Sequence, residues 1–256
     1  MKHNYLFFAC SILITLFCAC RDTTQSDSER SGLLTQSPST SDNANQPLDL
    51  IDSGQGNFEA LVEDYESKDR VIWQKPDIVI SLLGDLEGKT IADIGAGTGY
   101  FAFRIVSSAK KVIGIDIDPR FVSFMDSIKV HLVPEFRDRF ESRLAKPNDP
   151  YLAPEETDAI MLVNTYGYID ERVDYLKKLW TGLKPNGQLL IIDFKKNNLP
   201  VGPSVEFKVS TTQAQKELTE AGFDIDQVDR TTLDYQYIIL AKKREPSSKP
   251  AGFPEK

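Results

Sequence analysis

The chain has 256 residues, 41% of them hydrophobic, and a formal net charge of −8 at pH 7. This apolar fraction is enough to build a buried core. An acidic chain without a block of Lys and Arg argues against nucleic acid as the main partner, because neutralising phosphates requires clustered cations. The three cysteines all lie within the first 20 residues, and only His131 follows them as a histidine. The remainder therefore lacks residues for Cys/His zinc sites and Cys–His catalytic pairs.

An apolar segment from Tyr5 to Ala19 follows Lys2 and ends at Cys20. It is shorter than the roughly 20 residues that span a bilayer, and it is typical of an export signal. A small residue directly before a cysteine resembles the processing site of bacterial lipoproteins, although Phe17 stands where that site prefers Leu. Residues 1–20 are therefore predicted to be a lipoprotein-type signal peptide, with lipidated Cys20 attaching the protein to a membrane of the bacterial cell envelope. A non-cleaved amphiphilic anchor or a buried helix is the alternative.

The segments on either side of the main domain are polar. Residues 21–56 are rich in Ser, Thr, Asp, Asn and Gln, and this composition buries too little apolar surface to offset the entropy of ordering. They are predicted to be a disordered tether, and residues 245–256 a disordered tail. The folded domain is predicted to comprise residues 57–244, and no internal repeat is found in it.

Apolar runs typical of β-strands alternate with helical segments from Lys89 onward, which predicts a mainly parallel sheet flanked by helices. Four strands are predicted as nearly continuous apolar runs, as expected for strands that are covered on both faces. They are Thr90 to Ile94, Lys111 to Asp116, Asp158 to Val163 and Gln188 to Asp193. Two further strands around Asp229 to Leu233 predict an antiparallel pair within Phe223 to Lys243.

Helices are predicted where apolar residues recur at helical spacing. One such set is Phe121, Phe124, Met125 and Ile128, and a second is Val173, Leu176, Trp180 and Leu183. These aromatic and Met side chains are interpreted as core residues.

The ends of these elements carry recognisable signals. Asp118 before Pro119 predicts a helix N-cap. Thr212 with Gln215 predicts a capping box for a helix that ends at Gly222. The segment Lys184 to Gly187 has the composition of a tight turn before the next strand.

The most specific motif is the strand, turn and helix from Thr90 to Phe101, with glycines at positions 95, 97 and 99. Ligands bind at such strand ends, where glycines let the backbone approach them closely and the following helix offers free amides. A dinucleotide fingerprint requires its third glycine three positions after the second, where this chain has Tyr100. Asp93 at the strand end would repel a pyrophosphate. The motif therefore favours a cationic ligand.

The sequence from Asp93 to Gly99 strongly resembles the cofactor signature of the class I S-adenosylmethionine-dependent methyltransferases, and the resemblance extends from about Trp73 to Ala241. It implies a Rossmann-like, doubly wound α/β fold, with a mainly parallel sheet, helices on both faces and an antiparallel C-terminal strand pair. It also implies that the cofactor is S-adenosyl-L-methionine, a sulfonium cation.

The resemblance implies a set of cofactor-binding residues at the strand ends. They are Asp93, Gly95, Ala96, Gly97, Gly99, Asp116, Ile117 and Asn164. The carboxylate of Asp116 can accept hydrogen bonds from the ribose hydroxyls. Asp118 is interpreted as a helix cap and not as a ligand, and no metal site is expected.

The residues on the acceptor side are less specific. Tyr166 follows the fourth strand and is the one candidate for a catalytic role, whereas Tyr168 is interpreted as packing at the edge of a loop. Asp193 ends the next strand, where the resemblance implies the substrate mouth; pairing with Lys195 or Lys196 is the alternative. The segment Arg70 to Pro76 resembles a lid over the site in some small-molecule methyltransferases, although Trp73 within it fits a core position equally well.

These features predict a methyltransferase that acts on a small molecule or an envelope component, since methyl transfer requires mainly alignment of the reactants. An exported lipoprotein lies outside the cytoplasm, whereas the cofactor is made inside the cytoplasm. The alternative is therefore a non-catalytic, membrane-anchored protein that binds S-adenosylmethionine or nucleosides. A nicotinamide-dependent oxidoreductase is disfavoured by Tyr100 and Asp93. The acceptor, the face of the membrane and the oligomeric state are left open.

Overall fold

A seven-stranded sheet organises residues 55–243, the part of the chain that this computed structural model describes. In chain order the strands are β1 (Thr90–Ile94), β2 (Lys111–Asp116), β3 (Phe140–Leu144), β4 (Thr157–Val163), β5 (Leu183–Phe194), β6 (Phe223–Asp229) and β7 (Gln236–Lys243). In space they follow the order β3-β2-β1-β4-β5-β7-β6. Strands β1 to β5 pair in parallel, and β7 pairs antiparallel with both β5 and β6. The predicted fold class is confirmed.

Eight helices connect and cover these strands within the described residues. They are α1 (Gln55–Tyr65), α2 (Arg70–Gln74), α3 (Pro76–Ser81), α4 (Ala102–Ile105), α5 (Pro119–Lys129), α6 (Pro134–Arg137), α7 (Arg172–Gly182) and α8 (Thr211–Glu220). Short 3₁₀ turns are formed by Tyr166–Tyr168 and Val205–Phe207.

The core has two layers because neighbouring strand residues point to opposite faces of the sheet. Ala92 of β1 lies in a buried cluster with Leu176 of α7 and Leu218 of α8. The preceding residue, Ile91, lies in a second cluster with Ile105 of α4. The sheet is therefore covered on both faces. Because β1 to β5 run in parallel, their carboxyl ends lie at one edge of the sheet.

Two predicted boundaries are corrected. The N-cap of α8 is Ser210, whose hydroxyl accepts a hydrogen bond from the Gln213 amide at 3.2 Å. Thr212 lies inside the helix, so it cannot cap it. The helix ends at Glu220, shortly before Gly222, which adopts a φ of +99°.

The predicted turn from Lys184 to Gly187 is found as a bulge inside β5, where Asn186 has a φ of +61°. Leu183 pairs with Thr157, and the register then shifts between Thr157 and Ala159. Lys184 also holds this region through an ion pair with Asp158 at 2.7 Å. Gln188 is the next residue of β5 in register with β4, opposite Ala159, so residues 184–187 have no register partner on β4, in agreement with their turn-like composition.

The C-terminal strand pair is confirmed, with its strands on either side of the predicted position. The residues after β6 form a turn in which the Asp229 carboxylate accepts hydrogen bonds from the amides of Thr231 and Thr232. Asp229 to Leu233 is therefore mostly the connection between the strands.

The predicted signal at residues 1–20 and the tail at 245–256 lie outside the described residues, as does nearly all of the tether. Helix α1 begins at Gln55, slightly before the predicted start of the domain at Asn57. Between residues 55 and 243, none of the helices has the length and apolar character that crossing a membrane requires.

The centre of the sheet should respond most strongly to loss of side-chain volume. Ile160 of β4 is completely buried, so Ile160→Ala is expected to lower the free energy of unfolding by about 2–5 kcal/mol, and Ile160→Val by about 0.5–1.5 kcal/mol. Urea denaturation measures both. Ile72→Ala is the control, because the Ile72 side chain is 72% exposed. Equal effects of Ile160→Ala and Ile72→Ala would contradict the described packing.

Candidate functional site

The loop after β1 crosses the carboxyl edge of the sheet in a backbone conformation that favours glycine. Gly95, Gly97 and Gly99 have φ angles of +70°, +55° and +80°, in the region that other L-residues rarely adopt. A Cβ atom at Gly95 would also lie 2.4 Å from Oγ1 of Thr165. Gly95 thus brings the backbone close to the residues after β4, and the amides of Gly95 and Ala96 donate to the Ile115 carbonyl in β2 at 2.8 and 3.0 Å.

Asp116 at the end of β2 holds this loop in place. Its Oδ2 accepts from the Gly97 amide at 2.8 Å, and its Oδ1 accepts from the Asp118 amide at 2.9 Å. Burial raises the pKa of Asp116, and these two backbone hydrogen bonds oppose the rise. A carboxylate offers about four acceptor positions, so about two remain for a ligand. Asp116 therefore fits the predicted contact with a ribose diol.

Two apolar side chains next to Asp116 are unusually exposed. Ile117 follows β2 and is 51% exposed, and Leu144 ends β3 and is 48% exposed. Leu144 is paired in register with Asp116, so all three side chains lie at the same edge of the sheet. An apolar surface beside a carboxylate with free acceptor positions fits the expectation of an adenosine ligand, whose base is flat and whose ribose carries a diol. Leu144 was not identified as a site residue from the sequence.

Asp118 caps α5, as predicted. Its side chain accepts from the Arg120 amide at 2.8 Å and pairs with the Arg120 guanidinium at 2.7 Å. The hydrogen bond from Arg120 lowers the pKa of Asp118. The neighbouring carboxylates of Asp116 and Asp118 thus have different roles.

Helix α1 lies against the glycine loop. The Tyr65 ring stacks on Phe121 at a centroid distance of 5.3 Å, and it lies 3.0 Å from the position of a Cβ at Gly97. Burial and the charge of Asp116 raise the pKa of Tyr65 to about 12. The next residue, Glu66, accepts a hydrogen bond from the Thr98 hydroxyl at 2.5 Å. The glycine loop is therefore covered by α1.

Helix α1 is an element that was not predicted from the sequence. The signal was present, because Phe58, Leu61, Val62 and Tyr65 are spaced as one face of a helix. Phe58 packs on Phe121 at 5.0 Å, so this face is the one that meets α5.

Asp93 is buried at the end of β1. Burial raises its pKa from 3.8 to about 7, while the Arg70 charge and the Ala102 amide act in the opposite direction. The Asp93 carboxylate therefore lies next to the first residue of α4, and it is close enough to Arg70, at the start of α2, for the two charges to interact. This position fits the prediction that Asp93 favours a positively charged ligand.

Asn164 directly follows β4 and has a φ of +60°. Its amide donates to the Ile192 carbonyl at 2.9 Å, and its side-chain oxygen accepts from Nε2 of buried Gln236. The Asn164 side chain thus ties β4 to the start of β7. Asn164 lies at the carboxyl edge of the sheet, where its contact with the cofactor was predicted, but its side-chain oxygen already accepts a hydrogen bond from Gln236.

Tyr166 does not fit its predicted catalytic role. The residue is completely buried, and its hydroxyl donates to Oε2 of Glu217 at 2.5 Å. Arg172 pairs with the same oxygen at 2.9 Å. Since Glu217 is on α8 and Arg172 begins α7, the hydroxyl faces the helical layer and links these helices. Its position is structural.

Asp193 ends β5 in a buried position close to the loop after β4. Its carboxylate accepts from the amides of Gly167 at 2.9 Å and Phe194 at 2.7 Å, and burial raises its pKa to about 6. The alternative of pairing with Lys195 or Lys196 is wrong. The Lys195 ammonium donates to the carbonyls of Leu233 and Asp234, and neither lysine forms an ion pair with Asp193 among the described residues. Asp193 positions the loop between β4 and α7.

The outer wall of this edge is aromatic. Tyr168 stacks on Phe207 at 5.7 Å and is substantially exposed, as expected for packing at a loop edge. Trp73, in the segment interpreted as a lid or core element, contacts Phe194 at 5.7 Å. Residues 55–243 contain no cluster of His, Cys, Asp and Glu that could hold a metal ion.

The geometry agrees with the comparisons with known proteins. Residues 92–189 match a family model described as a methyltransferase domain. The chain superposes on a S-adenosylmethionine-dependent methyltransferase from Aquifex aeolicus with a TM-score of 0.66 and 24% identity, covering 72% of this chain and 97% of that one. The fold is that of a class I methyltransferase. The family match and the fold support the predicted enzyme class and S-adenosyl-L-methionine as the cofactor.

The same fold is also found in an enzyme with another chemistry. The [4+2]-cyclase SpnF superposes with a TM-score of 0.57 and 16% identity, over 67% of this chain and 80% of that one. Fold similarity alone therefore does not define the reaction.

Similar sequences include tRNA U34 carboxymethyltransferases. The protein from Cellvibrio japonicus is 32% identical over 121 residues, which is 46% of this chain and 36% of that protein. The protein from Shewanella putrefaciens is 33% identical over 138 residues, which is 48% of this chain and 38% of that protein. The chain thus spans little more than a third of the length of these relatives.

The raised pKa of Asp93 predicts a pH-dependent stability. Between its ordinary pKa of 3.8 and the folded value of about 7, the folded protein holds a proton that the unfolded chain releases, so this group makes stability fall as pH rises. Asp93→Asn removes this contribution. The unfolding free energy of the variant relative to the wild type is therefore expected to increase from pH 4.5 to about 7 and then stay constant, as measured by urea denaturation. The exposed control Asp77→Asn should show no such increase, and a pH-independent effect of Asp93→Asn would contradict the assignment.

Proposed function

We propose that the protein is an S-adenosylmethionine-dependent methyltransferase that acts on a small molecule or on a component of the cell envelope. The observation that carries the proposal is the cradle formed by Gly95, Gly97 and Gly99 with Asp116. The Asp116 carboxylate has spare acceptor positions, and it lies beside the exposed apolar side chains of Ile117 and Leu144.

When bound, the cofactor supplies a methyl group on a positively charged sulfur, which is already activated for transfer. The protein mainly has to align the acceptor with that methyl group, and such positioning alone lowers barriers substantially. Asp116 would hold the ribose, Asp93 favours positive charge near the loop, and Tyr65 covers the loop from outside. The acceptor would enter at the edge formed by Tyr168 and Phe207.

The printed name of the tRNA-modifying relatives raises RNA as another acceptor. The chain covers only a little more than a third of those proteins, and its net charge of −8 opposes binding to a polyanion. We therefore keep a small molecule or an envelope component as the proposed acceptor class.

The cofactor proposal is tested by calorimetric titration with S-adenosylmethionine and its demethylated product, S-adenosylhomocysteine. Asp116→Asn keeps one acceptor oxygen but loses the charge, so both ligands should bind about 10- to 100-fold more weakly, the range expected for hydrogen bonds to a charged group. An analogue without the two ribose hydroxyls should lose less affinity in the variant than the complete ligands do, because it shares only the effect of the backbone hydrogen bond that Asn cannot accept.

Asp118→Ala is the matched control. It removes the cap of α5 and should lower stability by about 1 kcal/mol while leaving cofactor affinity unchanged. Absence of binding to the wild type would refute the proposed cofactor.

Catalysis is separated from binding alone by incubating the protein with cofactor labelled in the methyl group. Labelled small molecules or envelope components would support the proposal. Label in added tRNA would overturn the proposed acceptor class. Tight binding with no label transferred to any of these acceptors would favour the alternative of a non-catalytic, membrane-anchored binding protein.

We also propose that Cys20 is lipidated and anchors the protein to a membrane of the bacterial cell envelope. This rests on the apolar run from Tyr5 to Ala19 and the small residue before Cys20. Radiolabelled palmitate should be incorporated into the full chain in a bacterial host, be lost in Cys20→Ser and be retained in Cys18→Ser. Absence of label in the parent chain, or equal labelling of both variants, would contradict lipidation at Cys20.

A further inference from the structure

Lys208 is a buried cation at the edge of the sheet where we propose that the acceptor enters. It directly follows the 3₁₀ turn Val205–Phe207 and is 2% exposed. Its Nζ lies 5.9 Å from the ring centroid of Phe194, the last residue of β5. Lysine is rarely this buried unless its charge is paired. Burial of the Lys208 ammonium is therefore costly unless hydrogen-bond acceptors or an anion compensate it.

The described residues compensate this ammonium only in part. Its Nζ donates to the Asn197 carbonyl at 3.0 Å, and no carboxylate forms an ion pair with it within residues 55–243. An ammonium has three hydrogens to donate, and one hydrogen bond from it is found there. Asn197 is exposed, and its carbonyl is neutral. A negatively charged oxygen would be a stronger partner for the same ammonium.

Two carboxylates act on the charge of Lys208, and both are held elsewhere or exposed. The Asp193 oxygens accept from the amides of Gly167 at 2.9 Å and Phe194 at 2.7 Å, whereas Glu206 is exposed to solvent. Burial lowers the pKa of Lys208, although the charges of Asp193 and Glu206 oppose this. The edge thus contains a cation that can take its counter-ion from a ligand.

Aromatic rings border this cation. The Phe194 ring contacts Trp73 of α2 at a centroid distance of 5.7 Å. Phe207, which directly precedes Lys208, stacks on the Tyr168 ring at 5.7 Å, and Tyr168 is 40% exposed. Small-molecule sites typically combine such apolar and aromatic walls with a few charged groups that fix the orientation of the ligand. These walls suit a ligand with a flat apolar body and a negative charge at one end.

We propose that Lys208 binds a carboxylate of the acceptor, and that the acceptor is an aromatic acid. The carboxylate would accept from the Lys208 ammonium, and the rings of Phe194 and Phe207 would border the aromatic body. A single ammonium beside Asp193 matches one negative charge better than the two charges of a phosphate. This inference rests on the proposed function and narrows it, because it selects one class among small molecules and envelope components.

Lys195 provides a matched comparison in the same segment. Its ammonium donates to the carbonyls of Leu233 and Asp234 at 2.9 and 2.8 Å, as the Lys208 ammonium does to that of Asn197. Both lysines thus hold backbone segments in place. Lys208 in addition lies against the ring of Phe194 and is the more deeply buried of the two.

The test is an NMR titration of the protein with benzoate and with benzamide, which has nearly the same shape but no charge. Benzoate should shift the amide signals of Gly167 and Phe207, and the wild type should bind it at least about 10-fold more tightly than benzamide. Lys208→Gln should weaken benzoate binding by about 10-fold and change the affinity for benzamide by less than about twofold. Lys195→Gln should leave both affinities unchanged.

The comparison of the two probes also decides the proposal if Lys208→Gln does not fold. Equal affinity of the wild type for benzoate and benzamide, or failure of benzoate to shift these amides, would overturn the carboxylate site. An equal loss for both probes in folded Lys208→Gln would show that Lys208 only holds the segment after β5. Lys208→Arg keeps the charge and should retain the preference for benzoate.

The titration is carried out with and without S-adenosylhomocysteine, so that this inference and the proposed function fail separately. Absence of S-adenosylhomocysteine binding would refute the proposed cofactor. The preference for benzoate over benzamide is measured in both states, and its loss in both would overturn the inference alone.

Discussion

The bridge made by the Asp116 carboxylate is the interaction on which the site depends. It joins the glycine loop, through the Gly97 amide, to the start of α5, through the Asp118 amide. Helix α5 in turn presents Phe121 to the Tyr65 ring, so the position of the covering helix follows from the same bridge. A buried carboxylate is costly unless hydrogen bonds compensate. Here the compensating donors are the backbone groups that must be held in place for a ligand to bind.

Buried charges are treated differently in the two layers of the domain. In the helical layer, Arg172 and Glu217 form a close ion pair, which Tyr166 and Gln213 complete. At the glycine loop, Arg70 and Asp93 are buried or partly buried without such a pair within the described residues. Unpaired charges of this kind destabilise a fold. The Asp93 carboxyl is accommodated instead by a raised pKa, of about 7, whereas the paired group between α7 and α8 serves stability.

The parts of the fold that depend on local pattern could be predicted from the sequence. The bounds of β1 and β2 matched because each is a short apolar run between polar residues, and Asp118 was identified as a cap because the signal lies within one turn. Tyr166 could not be placed in this way, since its partner Glu217 is far away in the chain. The sequence likewise does not predict that Arg70 contacts Tyr100, with its Cζ 4.2 Å from the ring centroid, because this contact depends on how α2 packs against the loop.

Similarity to other proteins covers only part of the carboxyl edge of the sheet. The match to the methyltransferase family covers residues 92–189, which include the glycine loop and Asp116. The edge at which we propose that the acceptor enters is completed by later residues: the Asp193 carboxylate accepts from the loop amide of Gly167, and buried Lys208 donates to the Asn197 carbonyl at 3.0 Å.

Close packing joins this later segment to the loop after β4. A Cβ at Gly167 would lie only 2.0 Å from the Phe207 carbonyl, so the loop after β4 and the segment before α8 fit each other with no room for a side chain. Gly167 lies inside the region matched by the methyltransferase family model, residues 92–189, whereas Phe207 lies beyond it. Similarity over the matched region, like similarity of fold, therefore does not define the acceptor.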